Sequence, residues 1–278
     1  MSSSTLETLI TVAREAAMVI DEVYKTPFSV DYKGPKDPVT EADRRANTLI
    51  CERLSQHFPG VPIVAEESTP ESFVGYQNAS SIFFVDPLDG TREFVDQNGE
   101  FVVMIGLVEG TRATHAVIHA PVSHTAWAGD VESGAFVIEA NGQRRPIHAS
   151  NVTQLADARV VASRSHRSDL LEQALRFLGA REIVTLGSAG LKGARVSDGG
   201  AEAYISPVSA GKRWDACASD ALVTAAGGRF TDEFGLPIDY RAASLVNDRG
   251  VVASNGHVHD ALLERLAVAR EQYKTRNS

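Results

Sequence analysis

Four short segments of this chain carry acidic side chains at spacings that suit chemistry: Asp37-Pro-Val-Thr-Glu-Ala-Asp43, Ala65-Glu-Glu-Ser68, Asp86-Pro-Leu-Asp-Gly-Thr91 and Trp214-Asp215-Ala216. The third is the sharpest. Asp86 follows the apolar run Ile82-Phe83-Phe84-Val85, Pro87 is expected to end the sheet pairing, and Asp89-Gly90-Thr91 opens the next element. Two carboxylates around such a corner converge on one side, and a cluster of hard oxygen donors is what a divalent cation requires. If Gly90 and Thr91 begin a helix, their N–H groups point into the same space and favour a phosphate.

Each segment also has a plainer explanation. Asp86 and Asp89 could satisfy turn backbone, and Glu66-Glu67 could be a solvated pair at a strand end. Asp215 could favour a helix start from the positive end of its dipole. Asp43 could complete a capping box begun by Thr40. The four together outweigh these separate explanations.

The elements that must position these groups are legible in outline. Leu6, Leu9, Ile10, Ala13, Ala17, Ile20 and Tyr24 recur at helical spacing and predict an amphipathic first helix. A polar, turn-forming stretch from Asp31 to Val39 precedes a second helix over about Glu41–Phe58, stopped by Pro59-Gly60. From Ser81 the pattern becomes β, with runs at 82–85, 101–108, 112–119, 125–129 and 135–139 and a hairpin turn at Asn141-Gly142. Short connections predict an antiparallel meander. Beyond about residue 150 strand and helix alternate, with a helix from about Asp215 to Ala226 and another from Leu262 to Tyr273. The expected fold class is therefore α/β: an α+β half over residues 1–150 and an α/β half over 151–278.

Composition sets the bounds. The 278 residues are 43% hydrophobic and 23% charged, as in globular proteins, and the formal net charge of −9 disfavours a nucleic-acid partner. Glu7, Arg14 and Glu15 interrupt the N-terminal apolar pattern, so neither a signal peptide nor a membrane span is expected there. Cys51 and Cys217 are too few for a disulfide framework, which makes the cytoplasm the expected location.

Taken in order, D-P-V-T-x-A-D, E-E-S, D-P-L-D-G-T and W-D resemble the inositol-monophosphatase superfamily over nearly the whole chain. Arg92-Glu93-Phe94, Asn98-Gly-Glu-Phe101, Ala120-Pro121, Ser163-Arg-Ser-His166, Gly187-Ser-Ala-Gly-Leu-Lys192 and Lys212 are similar to its bacterial bisphosphate-nucleotidase branch. The resemblance implies a layered αβαβα sandwich and a Mg²⁺-dependent phosphomonoesterase with two Mg²⁺ ions, or three. Glu66, Asp86 and the carbonyl of Leu88 would hold the first ion, and Asp86, Asp89 and Asp215 the second. Asp43 and Thr91 would take a proton from the attacking water, with no phosphoenzyme. Gly90, Thr91, His166, Ser188, Lys192 and Lys212 would contact substrate, with Arg213 as a further source of positive charge.

The implied substrate is a small phosphate ester, foremost 3′-phosphoadenosine 5′-phosphate, a by-product of sulfate activation. Lithium sensitivity is implied too. An inositol-phosphate or broad sugar-phosphate phosphatase is the alternative, and a non-catalytic metal-binding relative a third reading. Nucleotidase relatives often carry arginine and inositol monophosphatases glutamate where this chain has Ser206, so it departs from both patterns. Relatives include monomers and dimers, which leaves a homodimer open. Metal is needed even to admit substrate, because four clustered carboxylates repel a phosphate until cations cancel their charge.

Overall fold

The computed structural model describes residues 2–34, 37–207 and 210–277. Its first helix, α1 (Ser2–Tyr24), buries Leu6, Leu9, Ile10, Ala13, Ala17 and Ile20, the predicted stripe. The stretch expected as a polar turn is instead an antiparallel hairpin of β1 (Val30–Gly34) and β2 (Asp37–Thr40). Its first strand is largely exposed, so it lacks the apolar alternation by which a strand is read from sequence. Next come α2 (Glu41–His57) and β3 (Ile63–Ala65).

The strand β4 (Ser81–Asp89) runs past Pro87, contrary to expectation. It leads into α3 (Thr91–Val95) and then the meander β5 (Val102–Glu109), β6 (Arg112–Ala120), β7 (Thr125–Asp130), β8 (Gly134–Ile138) and β9 (Arg144–Ile147). Pairing of β4 with β5 is irregular between Asp86 and Asp89 and resumes at Asp89 opposite Val102. A proline has no N–H to give a ladder, and such an irregularity accommodates it without ending the strand. The resulting sheet has seven strands in chain order, β3 to β9, antiparallel except for the parallel β3–β4 pair.

The second sheet is built from β10 (Arg159–Ser163), α4 (Asp169–Leu178), β11 (Glu182–Leu186), α5 (Ala189–Ser197) and β12 (Ala203–Ser206). It is completed by α6 (Arg213–Ala225), β13 (Arg229–Thr231), β14 (Val251–Ser254) and α7 (His259–Asn277). The order is β11-β10-β12-β14-β13, with β11, β10 and β12 parallel and the last pairs antiparallel. Neither β13 nor β14 was expected, since each is too short to show a pattern.

These elements stack as five layers. Helices α1 and α2 cover one face of the seven-stranded sheet. On its other face α5 and α6 are held against the five-stranded sheet, whose far side carries α4 and α7. The result is the αβαβα sandwich. One hydrophobic cluster spans the middle layer, joining Val102, Met104 and Ile118 to Ala218, Leu222, Tyr204 and Ala253. No described helix is long and apolar enough to cross a membrane.

The middle layer depends on close approach. A Cβ on Gly106 of β5 would lie 2.6 Å from Cys217 Sγ and 2.7 Å from the backbone N of Ala218 in α6. Gly106→Ala is therefore expected to destabilise the fold by about 1–3 kcal/mol through overpacking. Urea unfolding measures this, and an unchanged midpoint would show that α6 has room to recede.

Candidate active site

Asp86 and Asp89 flank the irregular end of β4, and Asp215 lies in the first turn of α6. Carboxylate oxygens of the three lie within 4.8 Å of one another. Asp86 and Asp89 are buried, and Asp215 is half-buried. Two unit charges at that separation repel by about 3 kcal/mol at an effective dielectric of about 20. The protein offsets part of this with donors. The N–H of Leu88 donates to Asp86 Oδ1 at 3.0 Å, and that of Lys212 donates to Asp215. Asp89 Oδ2 accepts from Ser188 Oγ at 2.5 Å and from the Gly190 N–H at 2.7 Å.

The remainder appears in the acidities. Burial, then the charges of Glu66 and Asp89, pushes Asp215 up to about 8. Burial, then Glu66, Asp89 and Asp215, lifts Asp86 well above the ordinary carboxylate range. Such a cluster cannot hold its full charge near neutrality without a cation. The trio contains oxygen donors and no histidine or cysteine, a donor set that fits Mg²⁺.

Glu66 is not one of the trio, although it lines the same cavity. It follows β3, which lies parallel to β4, and its Oε1 accepts from Lys33 Nζ at 2.8 Å. The same ammonium reaches Glu67 Oε1 at 2.6 Å. Burial pulls Lys33 down, but Glu66 and Glu67 more than reverse this and hold it above its ordinary value. The sequence reading missed Lys33. No residue pattern marks it, because its role depends on the hairpin β1–β2 folding over the E-E-S turn.

Asp43 lies behind this cavity and not on its wall. Its Oδ2 accepts from the N–H and Oγ1 of Thr40 at 2.8 and 2.6 Å, so the capping box considered from sequence is real. Its other oxygen accepts from Thr91 Oγ1 at 2.9 Å, joining α2 to the first residue of α3. Burial lifts the Asp43 carboxyl, while the Thr40 and Thr91 hydrogen bonds draw it back. Capping and a proton-accepting geometry thus coexist in one side chain. The Thr91 hydroxyl also lies 3.3 Å from the Leu88 carbonyl oxygen.

The cavity, about 470 Å³, is lined by Glu66, Asp86, Leu88, Asp89, Gly90, Thr91, His166, Ser188, Lys192, Lys212 and Asp215, among others. Every residue expected at the site except Asp43 and Arg213 therefore borders it. Gly90, at φ +100°, makes the corner into α3 in a conformation that favours glycine. Ser188 caps α5 through the Leu191 N–H, at a positive φ of 47° that is uncommon for a side-chain-bearing residue. His166 and Lys212 are exposed at the rim. Arg213 does not supply charge here: it is buried and donates to the Asp239 carbonyl and to Asn247 Oδ1, since a helix start orients adjacent residues apart.

Lys192 is 3% exposed, and its ammonium donates to the carbonyls of Gly187 and Ser188 at 3.1 and 2.6 Å. An ammonium has three donors, so one remains for an anion in the cavity. Burial draws its pKa down to about 8 against support from Asp89, Glu93, Asp215 and Glu100. Lys192 is charged below that value and neutral above it, and a cation beside Asp89 moves the midpoint no higher. Affinity for inorganic phosphate, measured by competitive inhibition at fixed Mg²⁺, is expected to weaken as pH rises through about 8. Lys192→Met should lose that limb. A wild-type inhibition constant flat across this range would exclude the contact.

Known proteins similar to this chain share its family and its fold. The sequence profile of the inositol monophosphatase family matches residues 1–275. The 3′(2′),5′-bisphosphate nucleotidase CysQ of Salmonella typhimurium is 35% identical over 242 residues, covering 84% of this chain and 93% of the relative. Among solved structures, CysQ from Bacteroides thetaiotaomicron superposes with a TM-score of 0.77 at 25% identity, covering 91% of this chain and 97% of its own. An IMPase of Thermotoga maritima superposes at 0.82 and 26% identity, covering 97% and 99%. With its acidic trio in the cavity between two sheets, the chain belongs to the inositol monophosphatase family and is a phosphatase, a phosphoric monoester hydrolase.

Proposed function

We propose that this phosphatase is a Mg²⁺-dependent 3′(2′),5′-bisphosphate nucleotidase that removes the 3′-phosphate of 3′-phosphoadenosine 5′-phosphate. The observation that carries the substrate assignment is the 35% identity, across 84% of the chain, to a relative of that name. The cavity is also in the size range of small-molecule sites, roughly 300–1,000 Å³, and it holds Lys192 and Lys212 besides the acidic trio. That leaves cationic groups for a second phosphate.

In this reading Glu66, Asp86 and the Leu88 carbonyl hold one Mg²⁺, and Asp86, Asp89 and Asp215 hold another. Bound there, Mg²⁺ supplies charge neutralisation, polarisation of the phosphoryl oxygens and a more acidic water. The protein's own groups do the rest. Thr91 Oγ1 accepts a proton from the attacking water while passing its own to Asp43 Oδ1, along the hydrogen bond already formed between them. Burial raises the pKa of Asp43 and makes it a stronger base than an ordinary carboxylate, which suits it to receive that proton. Gly90, Thr91 and Ser188 border the reacting phosphate, and His166, Lys192 and Lys212 the remainder of the substrate. The enzyme acts in the cytoplasm on a small phosphate ester, without nucleic acid or membrane as partner, and its two cysteines are free thiols.

Phosphate release from a panel of esters tests the assignment. Catalytic efficiency on 3′-phosphoadenosine 5′-phosphate is expected to exceed that on inositol 1-phosphate by at least about tenfold, or about 1.4 kcal/mol of transition-state discrimination. Comparable efficiencies would favour the sugar-phosphate alternative. EDTA should abolish release, and Asp89→Asn should lower kcat/KM by at least about 100-fold. Undiminished turnover by Asp89→Asn would remove Asp89 from the ligand set.

A further inference from the structure

Four segments marked by the sequence as nucleotidase-like have no part in the phosphoryl step beyond single residues within them. They are Arg92-Glu93-Phe94, Asn98-Gly-Glu-Phe101, Ser163-Arg-Ser-His166 and the start of Gly187-Ser-Ala-Gly-Leu-Lys192. The fold brings all four together in one joint. Ser165 Oγ donates to Glu93 Oε1 at 2.6 Å. Arg164 Nη2 donates to Glu100 Oε1 at 2.7 Å, and the Gly187 N–H donates to the other oxygen of Glu100 at 2.6 Å. The contact is also steric, for a Cβ on Gly187 would lie 2.3 Å from Glu93 Cγ and 2.6 Å from its Cδ.

Two carboxylates beside the catalytic corner thus grip two loops of the second sheet. Those loops follow β10 and β11 at the C-terminal ends of parallel strands, where α/β sheets place ligand-recognising groups. One carries His166, and the other carries Ser188 and leads to Lys192. Glu93 belongs to α3, the helix that Thr91 begins. It lines the cavity and is only 3% exposed. A carboxylate at the wall of a pocket for a multiply charged anion repels its ligand, so its presence needs an offsetting benefit. The geometry provides one: Glu93 sets the distance between the group that reacts and the groups that recognise.

We propose that Glu93, together with Glu100, is a positioning residue that fixes the Ser163–Arg167 loop and the Gly187 turn at one distance from Thr91 and the acidic trio. The joint selects substrates long enough to touch both sides, a nucleotide with a second phosphate over a small ester. This inference rests on the nucleotidase reading. Binding energy from the remote part of a substrate reaches the reacting centre only when both sites are held in register.

The test compares adenosine 3′,5′-bisphosphate with p-nitrophenyl phosphate, which has no remote group, in Mg²⁺. Glu93→Ala and Ser165→Ala are each expected to lower the ratio of kcat/KM for the bisphosphate over the small ester by about tenfold, mainly through KM for the bisphosphate. Glu93→Gln keeps an acceptor for Ser165 and should restore most of the ratio. The double Ala variant should be no worse than Glu93→Ala, because both changes remove one shared bond. If Glu93→Ala fails to fold, Ser165→Ala, on a half-buried loop residue, carries the same comparison. Equal losses on both substrates, or Gln no better than Ala, would overturn the positioning role. Wild-type protein that cleaves p-nitrophenyl phosphate but not the bisphosphate would overturn the nucleotidase reading, and this inference with it. Wild-type selectivity left unchanged by these variants overturns the positioning role alone.

Discussion

Repulsion among buried carboxylates is the constraint around which this molecule is organised. Asp86, Asp89 and Asp215 come within 4.8 Å of one another, and Glu66 adds its charge from the adjoining strand end. No packing energy favours that arrangement, since burial and like charge both oppose ionisation. The fold answers with fixed donors: N–H groups of Leu88, Gly190 and Lys212, the Ser188 hydroxyl, and the Lys33 ammonium over Glu66. They orient one oxygen of each carboxylate but neutralise too little of the charge. A site pre-arranged in this way is one that a divalent cation completes.

Two structural decisions make the arrangement stable enough to persist. The first is the interruption in β4, where Pro87 cannot donate to the ladder and the strand carries two aspartates through an irregularity before pairing again. The second is the small-residue surface of α6. Ala216, Cys217, Ala218 and Ala221 are buried, and Gly106 lets the helix sit directly on β5. A helix seated that closely brings its first turn, and with it Asp215, to the end of β4. Backbone rigidity on both sides then fixes distances that flexible side chains alone would not hold.

The site also depends on groups with two tasks. Asp43 caps α2 through Thr40 and accepts from Thr91 across to α3. Ser188 caps α5 and donates to Asp89. When one side chain both ends a helix and addresses the site, secondary structure and chemistry fail or succeed together. This sharing explains why the plainer explanation of Asp43, as part of a capping box, was correct without displacing the chemical one.

The main outline was legible in the chain because its signals are local. Apolar spacing in α1, the apolar runs of the meander, the Asn141-Gly142 turn and the rhythm of the second half each depend on neighbouring residues, and the structure contains them. The acidic segments could be read as one site because residue types and order are written in sequence, whatever the distances between them. Other features were invisible for an equally physical reason. The exposed hairpin β1–β2 has no burial pattern, and β13 and β14 are too short to show one. Sequence could not say that Lys33 would meet Glu66, that Arg213 would turn inward to Asn247, or that Glu93 would bond Ser165. Those outcomes depend on the path of the chain between distant residues. Composition and order determined which groups were available; packing of two sheets about a shared helical layer fixed which of them meet.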